Sequence, residues 1–456
     1  MRVAIVGMGY VGIVTGVCLA EKGHEVTCID LDEEKVAAAN EGRAPIFEAE
    51  LDELLVRNVG RRFRADTDLR SAVSTADVTM IAVGTPFDGT EIDLTTVTSA
   101  AVAIGQVLRS TSGYPVVVVK STVVPGSTLN VVLPALEQAS GKRAGVDFGL
   151  GVNPEFLTEG RAVRDFMHPD RLVLGSVDQR TADVLEQVYA GFPDVPRVRT
   201  TPTTAETIKY ASNALLATMI SFSNELADLC TAVGDVDTVD VMRGLHSSMY
   251  LTVEGRPAPI TSFLEAGCGF GGSCLPKDAR ALVAHGEELG RPMQVLKAVL
   301  AVNANRPDEI VRLVEKHVPS LSGARVTVLG LAFKPDTDDI RESPAIPIVE
   351  RLIAGGAMVR VHDPVVAELP ASLLHTGASL SNDLSAVLAG AQVVVLVTRW
   401  PEYEETLPTA LTALDDPPVL VDGRRVIPPE RVPRYDGIGL PELPLRSVAA
   451  APVAPR

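Results

Sequence analysis

The sequence predicts an α/β protein with two Rossmann-like parallel-sheet domains joined by a long central helix, and three observations carry that prediction. Strand-like apolar runs alternate with helix-like runs through the opening part of the chain, the pattern of a parallel sheet covered on both faces. Residues 204–233 form a long helical stretch without Pro or Gly, ending at Gly234. Arg-Val-Thr-Val-Leu-Gly at 325–330 then repeats the theme of Arg-Val-Ala-Ile-Val-Gly at 2–7, which marks a second α/β domain, an ancient duplicate without the full glycine pattern.

Taken in order, residues 3–6 read as a short buried strand, 10–22 as a helix and 25–30 as the next strand. Further buried strands are predicted at 78–83 and 116–120, and another at 148–153 ends in Asn153-Pro154. After the central helix, a second helical run spans 293–317 with an interruption near Pro307. Strands at 358–362, 392–397 and 418–421 complete the second sheet. From residue 441 the chain is rich in Pro and Ala and reads as a disordered tail.

The 456 residues exceed one ordinary core, and at roughly 150 residues per domain they suggest about three units. The net charge of -17, from 58 acidic and 41 basic side chains, argues against nucleic acid or an anionic membrane as the main partner. An anionic small molecule stays open, because a few well-placed Lys and Arg decide that locally. Five scattered cysteines (18, 28, 230, 268 and 274) form neither a disulfide framework nor a zinc pattern, and a reducing cytoplasm suits them. Residues 3–20 carry no charge and superficially resemble a signal or membrane segment. Glycines at 7, 9, 12 and 16 interrupt them, and no clear cleavage site follows, so strand, turn and helix fit better.

Gly7-Met8-Gly9-Tyr10-Val11-Gly12 follows a strand and opens a helix, as a dinucleotide loop does. The first glycine permits the tight turn, the second admits a pyrophosphate to the backbone, and the third lets helix and strand pack closely. Asp30 ends the second strand, where its carboxylate would bond both ribose hydroxyls. That acid favours NAD over NADP, whose 2′-phosphate it would repel. Gly84-Thr85-Pro86 and Ser121-Thr122 also follow strands, at the sheet edge where open α/β proteins bind ligands. Thr122 would hold water or a ribose there, or simply cap the next turn.

The segment 267–278, Gly-Cys-Gly-Phe-Gly-Gly-Ser-Cys-Leu-Pro-Lys-Asp, holds the second site. Its glycines let the backbone wrap around a ligand at an entropic cost. Pro276 suits the first turn of a helix over 277–288, which puts Cys274 at a helix N-terminus beside Lys277, and both features favour a thiolate. Asp278 is near enough to act as a base or to orient water. A disulfide with Cys268, a metal site and an inert buried thiol are the competing readings; the absence of nearby His argues against a metal, and none is expected. Lys209 and Asn213, at i,i+4, share one helix face, as do Glu155 and Glu159 in a predicted helical segment. Lys209 would bind an oxyanion, or be an ordinary surface cation.

These motifs resemble the UDP-glucose/GDP-mannose dehydrogenase family over nearly the whole chain. The resemblance rests on Gly-Phe-Gly-Gly-Ser-Cys-x-Pro-Lys-Asp at 269–278, Asn-Pro-Glu-Phe-Leu-x-Glu-Gly at 153–160, Lys-Tyr-Ala-Ser-Asn at 209–213 and Phe-Lys-Pro-x-Thr-x-Asp-x-Arg-Glu-Ser at 333–343. It implies an NAD domain at 1–200, a helical dimerisation region carrying the cysteine loop at 201–300, a nucleotide-sugar domain at 301–440 and a tail at 441–456. It implies oxidation of a sugar C6 hydroxyl to carboxylate with two NAD per turnover, through a thiohemiacetal and a thioester on Cys274. Lys209 and Asn213 would bind the C6 oxyanion, Asp278, Glu159 and Thr122 would handle water, and Glu155 would act beside Cys274. The cofactor set becomes Gly7, Gly9, Tyr10, Val11, Gly12, Asp30, Lys35, Gly84, Thr85, Pro86, Ser121, Thr122, Glu159, Lys277 and Arg341. The substrate set becomes Glu155, Phe156, Leu157, Lys209, Asn213, Phe263, Gly271, Cys274, Phe333, Lys334 and Arg424.

Substrate signals are mixed. Cys-Leu-Pro-Lys-Asp at 274–278 is similar to the GDP-mannose branch, whereas Pro169-Asp170-Arg171 and Asp422-Gly423-Arg424-Arg425 are similar to the UDP-glucose branch. UDP-glucose is the favoured substrate, with TDP-glucose, GDP-mannose and UDP-N-acetylhexosamines as alternatives, and a single-step β-hydroxyacid dehydrogenase as a remoter one. The UDP-glucose branch carries an Arg five residues before the Phe of its Ser-Phe-Leu segment; here that place holds Ala258, with Arg256 two residues earlier. The expected protein is a cytoplasmic homodimer or higher homo-oligomer, with neither nucleic acid nor membrane as partner.

Overall fold

In the computed structural model, residues 1–441 are described; the predicted tail falls outside them except for Pro441. The chain divides into two compact units. The first comprises Met1–Ala214 and Lys277–Met293, the second Leu215–Pro276 and the chain from Gln294 onward.

The first unit is built on an eight-stranded sheet. Its strands are β1 (Arg2–Val6), β2 (Glu25–Ile29), β3 (Phe63–Asp66), β4 (Val78–Ile81), β5 (Val116–Val119), β6 (Gly149–Val152), β7 (Leu172–Ser176) and β8 (Arg197–Thr200). They lie in the order β3-β2-β1-β4-β5-β6-β7-β8. All neighbours are parallel except β6 and β7, which run antiparallel. The inner strands β4 and β5 are buried throughout and apolar except for Thr79, as sheets buried on both faces require. Helix Tyr10–Glu21 lies so close to β2 that a methyl group at Gly16 would come within 2.3 Å of Cys28 Sγ.

The second unit contains a short ribbon, β9 (Thr252–Val253) with β10 (Arg256–Pro257), and a six-stranded sheet. The sheet comprises β11 (Arg325–Leu329), β12 (Met358–His362), β13 (Ser379–Leu380), β14 (Val393–Leu396), β15 (Val419–Asp422) and β16 (Tyr435–Gly437). Its order is β13-β12-β11-β14-β15-β16, parallel throughout, which repeats the order of the first six strands. The predicted fold class therefore stands, with the same strand order in both sheets.

The central helix spans Pro202–Val233 and passes from the first unit into the second. Helix Gln294–Glu315 corrects one expectation: it runs through Pro307 unbroken. The proline removes one N–H, but the stretch is held by burial, with Arg306 only 1% exposed and paired to Asp228 at 2.6 Å. No helix among the described residues is long and apolar enough to cross a membrane.

Candidate functional site

The three glycines of the first loop differ in the space around them. Gly7 has φ +100, and a methyl group on it would meet the Ala82 carbonyl oxygen at 2.7 Å. Gly12 would put one 1.9 Å from the Gly7 carbonyl oxygen, whereas at Gly9 nothing lies within 4 Å. Gly9 is exposed, and it caps a helix whose first N–H groups have no side-chain acceptor. This open cradle, with free donors at the positive end of a helix, fits a dinucleotide pyrophosphate. Asp30, half-buried, accepts the Met8 N–H through Oδ2 at 2.7 Å and the Asp32 N–H through Oδ1 at 3.1 Å. Half-buried Tyr10 and Val11 follow the cradle, and Lys35 lies on the next helix with its ammonium 3.6 Å from Asp32.

Loops after β4 and β5 are tied together, since Thr85 donates to the Thr122 carbonyl at 2.7 Å and Ser121 to that of Val83 at 2.7 Å. Gly84 and Pro86 remain exposed beside buried Thr85. Thr122 is half-buried, and its carbonyl is the acceptor for Thr85.

Beyond β6 the chain forms a buried ionic cluster. Lys209 is 4% exposed and pairs with Glu155 at 2.9 Å, so it is no surface cation. Burial alone would push Glu155 up; yet Lys209, the Leu157 N–H at 2.6 Å and Lys120 hold its carboxyl below the usual range. The Phe156 ring lies between Arg171 at 4.0 Å and Lys209 at 5.5 Å. The expected helix face shared by Glu155 and Glu159 does not exist, because 153–158 has no regular structure and 159–160 is a turn. Carboxylates capture the N–H groups that a helix would use: Leu157 goes to Glu155, Thr158 to Asp165 and Gly160 to Glu48.

Lys209 and Asn213 do share a face of the central helix. Asn213 donates from Nδ2 to Asp278 Oδ2 at 2.6 Å, and Asp278 is 2% exposed. The Lys277 ammonium pairs with Asp278 Oδ1 at 2.6 Å, a charge-assisted bond between neighbouring residues.

In the second unit, Cys274 directly precedes helix Leu275–Glu288, and all five cysteines are free thiols. Cys274 alone is exposed; the other four are buried, with burial pushing Cys18 up to about 12 and raising Cys28 and Cys268. Cys274 is thus the thiol that solvent reaches, at a helix start, where a thiolate is favoured. The glycine density before it has a different origin from the one predicted. Added methyl groups would strike Arg424 at Gly267 (2.9 Å), Asn303 at Gly269 (2.5 Å), the Glu342 carbonyl at Gly271 (2.2 Å) and the Phe333 ring at Gly272 (2.6 Å). These glycines seat the loop on protein, and the Gly272 N–H adds a bond to the Arg341 carbonyl at 2.9 Å.

Lys334 reaches over the Phe333 ring at 5.7 Å and bonds the Pro335 carbonyl at 3.2 Å. Arg341 is exposed and paired with Asp339 at 2.7 Å. Arg424 donates to the Val397 carbonyl at 2.6 Å and the Gly269 carbonyl at 3.4 Å, so it braces the cysteine loop. Arg425 is a structural ion pair with Asp237 at 2.7 Å. Half-buried Phe263 ends the turn Pro259–Phe263, with Ala258 as its cap and exposed Arg256 in β10.

Sequence reasoning missed several supporting groups. Glu48 is buried and accepts N–H groups of Gly160 at 2.7 Å and Ala162 at 2.8 Å, together with the Tyr10 hydroxyl. It thus joins the dinucleotide loop to the turn bearing Glu159. Lys120 closes the all-valine strand β5 while 3% exposed, and a lone lysine ending so apolar a run was the available signal.

Family models match the chain in three consecutive parts: the NAD binding domain of the UDP-glucose/GDP-mannose dehydrogenase family over residues 1–193, its central domain over 203–305 and its UDP binding domain over 327–429. The chain belongs to this family, and it is an oxidoreductase that uses NAD. The UDP-glucose 6-dehydrogenase AglM of Haloferax volcanii is 40% identical, over 94% of this chain and 97% of its own. A GDP-mannose 6-dehydrogenase of Pseudomonas putida is 37% identical, over 88% and 92%. A solved UDP-glucose dehydrogenase from Pyrobaculum islandicum superposes with a TM-score of 0.87 at 39% identity, covering 96% of this chain and 97% of that one.

Proposed function

We propose that this chain oxidises UDP-glucose to UDP-glucuronate in two NAD-dependent steps, with Cys274 as the covalent tether. The observation that carries the reading is Cys274 itself, the one exposed thiol of five, set at the start of the helix whose first turn bears Asp278. NAD, when bound, would supply the hydride acceptor for each oxidation. The C6 alcohol first becomes an aldehyde, and the Cys274 thiolate adds to it to give a thiohemiacetal. A second oxidation leaves a thioester, and water then releases the carboxylate and frees the thiolate. One sugar alcohol, one water and two NAD thus yield one carboxylate and two NADH, with the released protons going to solvent.

Lys209 and Asn213 stabilise the C6 oxyanion from one helix face. Asp278, held by Asn213 and Lys277, takes the proton of the attacking water, with Glu159 and Thr122 orienting that water. Glu155 keeps Lys209 in place. The remaining cofactor and substrate residues, Lys277 included, keep the assignments that the family resemblance gives them. Residues 1–200 serve NAD, 201–300 dimerisation and the cysteine loop, and 301–440 the nucleotide sugar. The protein works as a cytoplasmic homodimer; the free thiols suit a reducing compartment, and exposed Leu215, Phe222 and Leu229 on the central helix suit a partner copy.

GDP-mannose is the second reading, favoured by the Cys-Leu-Pro-Lys-Asp segment. A panel of UDP-glucose, TDP-glucose, GDP-mannose and UDP-N-acetyl sugars, with NADH counted per sugar, decides between them. Two NADH per UDP-glucose is expected. One NADH per product together with full activity of Cys274→Ser would sink the reading.

A further inference from the structure

Asn153 is held by every polar group it has. Its N–H donates to the Val119 carbonyl at 3.0 Å and its Nδ2 to the Val173 carbonyl at 3.0 Å. Its Oδ1 accepts from Lys120 Nζ at 2.8 Å and from the Tyr189 hydroxyl, and its carbonyl accepts from the same ammonium at 3.3 Å. From this fixed point the chain passes through Pro154 directly into Glu155, whose other contacts are Lys209 and the Leu157 N–H. Lys120, Asn153, Glu155 and Lys209 are all buried.

Lys120 bonds only the two neutral oxygens of Asn153, while Glu155 and Lys209 act on it as charges. A buried ammonium with no bonded carboxylate is costly, and stability alone would favour an apolar residue of similar length. Its charge becomes useful if an oxyanion forms beside Lys209 during turnover, in a dry environment where fixed charge acts strongly.

We propose that Lys120 is a positioning residue for the oxidation: it anchors Asn153 so that Glu155 holds Lys209, and its charge supports the oxyanion that Lys209 binds. This rests on the dehydrogenase reading above. Burial pushes the Lys120 ammonium down to about 8, with Glu155 pulling it up and Lys209 pulling it further down. Those two are the charged groups that face it; Tyr189, the other titratable group on Asn153, is pushed well above its usual range by burial and stays neutral. Lys120 therefore loses its charge near pH 8, and its electrostatic contribution should fade there.

The test compares wild type with Lys120→Met and Lys120→Gln, measuring kcat and both KM values with UDP-glucose and NAD between about pH 6.5 and pH 9.5. At the lowest pH both variants should lose about 10-fold or more in kcat while each KM moves less than about 3-fold. The wild-type-to-variant ratio should shrink as pH rises through about 8, because the wild-type side chain itself becomes neutral. A ratio that stays constant with pH would show a purely structural residue and overturn the proposal, as would an unchanged kcat. Failure of both variants to fold would overturn it too, by making Lys120 a fold determinant. Two NADH per UDP-glucose from wild type establishes the dehydrogenase reading separately, and no wild-type turnover with any sugar overturns both.

Discussion

Asp30 and Asp363 hold the same place in their two sheets: each follows the second strand, and each accepts the N–H that follows the first glycine turn. Asp30 takes the Met8 N–H at 2.7 Å and Asp363 the Leu331 N–H at 2.8 Å. The glycines match as well, with φ +100 at Gly7 and +94 at Gly330, and each donates 2.8 Å to the end of the neighbouring strand. The environments differ. Asp30 is half-buried, whereas Asp363 is fully buried and further bonded by the N–H groups of Ala332, Val365 and Val366 and by Trp400 Nε1.

One device thus serves two ends, and substitutions should separate them. Asp30→Ala should raise the KM for NAD by roughly 10–100-fold, the worth of a charge-assisted hydrogen bond of about 1.5–3 kcal/mol, with little change in Tm. Asp363→Ala strands several buried N–H groups and should cost about 3 kcal/mol or more in unfolding free energy. Denaturant titration beside NAD kinetics checks both, and equal effects on stability would refute the division.

Gly9 and Gly12 should part in the same way. Gly9 has φ -69 and open space around it, so Gly9→Ala should leave the ligand-free fold intact or stabilise it by about 0.4–1 kcal/mol. The new methyl group stands where the pyrophosphate approaches, and the KM for NAD should rise about 10-fold or more. Gly12→Ala would force a methyl group to 1.9 Å from the Gly7 carbonyl, and should lower stability by about 3 kcal/mol or more. Calorimetry of the ligand-free proteins distinguishes them, and a destabilised Gly9→Ala would contradict the open cradle.

What the sequence made legible and what it hid follow from one distinction. Gly12 packs against Gly7 of its own turn and Gly9 opens the helix, so the local pattern was readable even though Ala82 also crowds Gly7. Gly267, Gly269, Gly271 and Gly272 answer to Arg424, Asn303, Glu342 and Phe333, residues distant in sequence, and no local pattern reveals that. The same applies to Glu155 and Glu159, where i,i+4 spacing suggested a helix that Glu48 and Asp165 dissolve by taking its N–H groups. Strand β8 went unread because Arg-Val-Arg-Thr holds one apolar residue and is partly exposed, and the antiparallel pairing of β6 with β7 leaves no mark in composition. Lys120 gave a signal, a lysine closing a valine strand, but only the fold shows Asn153 waiting for it.

Lys120 also makes stability depend on pH. Its value is depressed from the 10.5 of an ordinary lysine to about 8, so between these limits the unfolded chain binds the proton more strongly than the folded one. Its contribution is then fully present above about 10.5 and lost as pH falls towards about 8. Relative to Lys120→Met, wild type should gain about 3 kcal/mol across that window, taking roughly 1.4 kcal/mol per pK unit. Urea unfolding of both proteins at a series of pH values reads the difference directly, with other titrating groups cancelling. A flat difference would mean that Lys120 keeps its ordinary affinity for the proton.

The central helix carries the last prediction. Leu215, Phe222 and Leu229 recur every seven residues and are 52%, 45% and 56% exposed, so they form one apolar stripe. Val233, 64% exposed, extends it by another turn. Scattered exposed apolar residues need no explanation, but a heptad-spaced stripe on a long helix is the signature of a helix that packs against another. Phe222 lies at its centre, where a charge would be buried against apolar neighbours in the paired state and solvated in the single chain. Phe222→Asp should therefore weaken self-association by about 100-fold or more, roughly 3 kcal/mol, while far-UV circular dichroism stays unchanged because the side chain is half exposed within one copy. Sedimentation velocity over a concentration series measures this. A wild-type dimer that Phe222→Asp leaves intact would place the contact on another face.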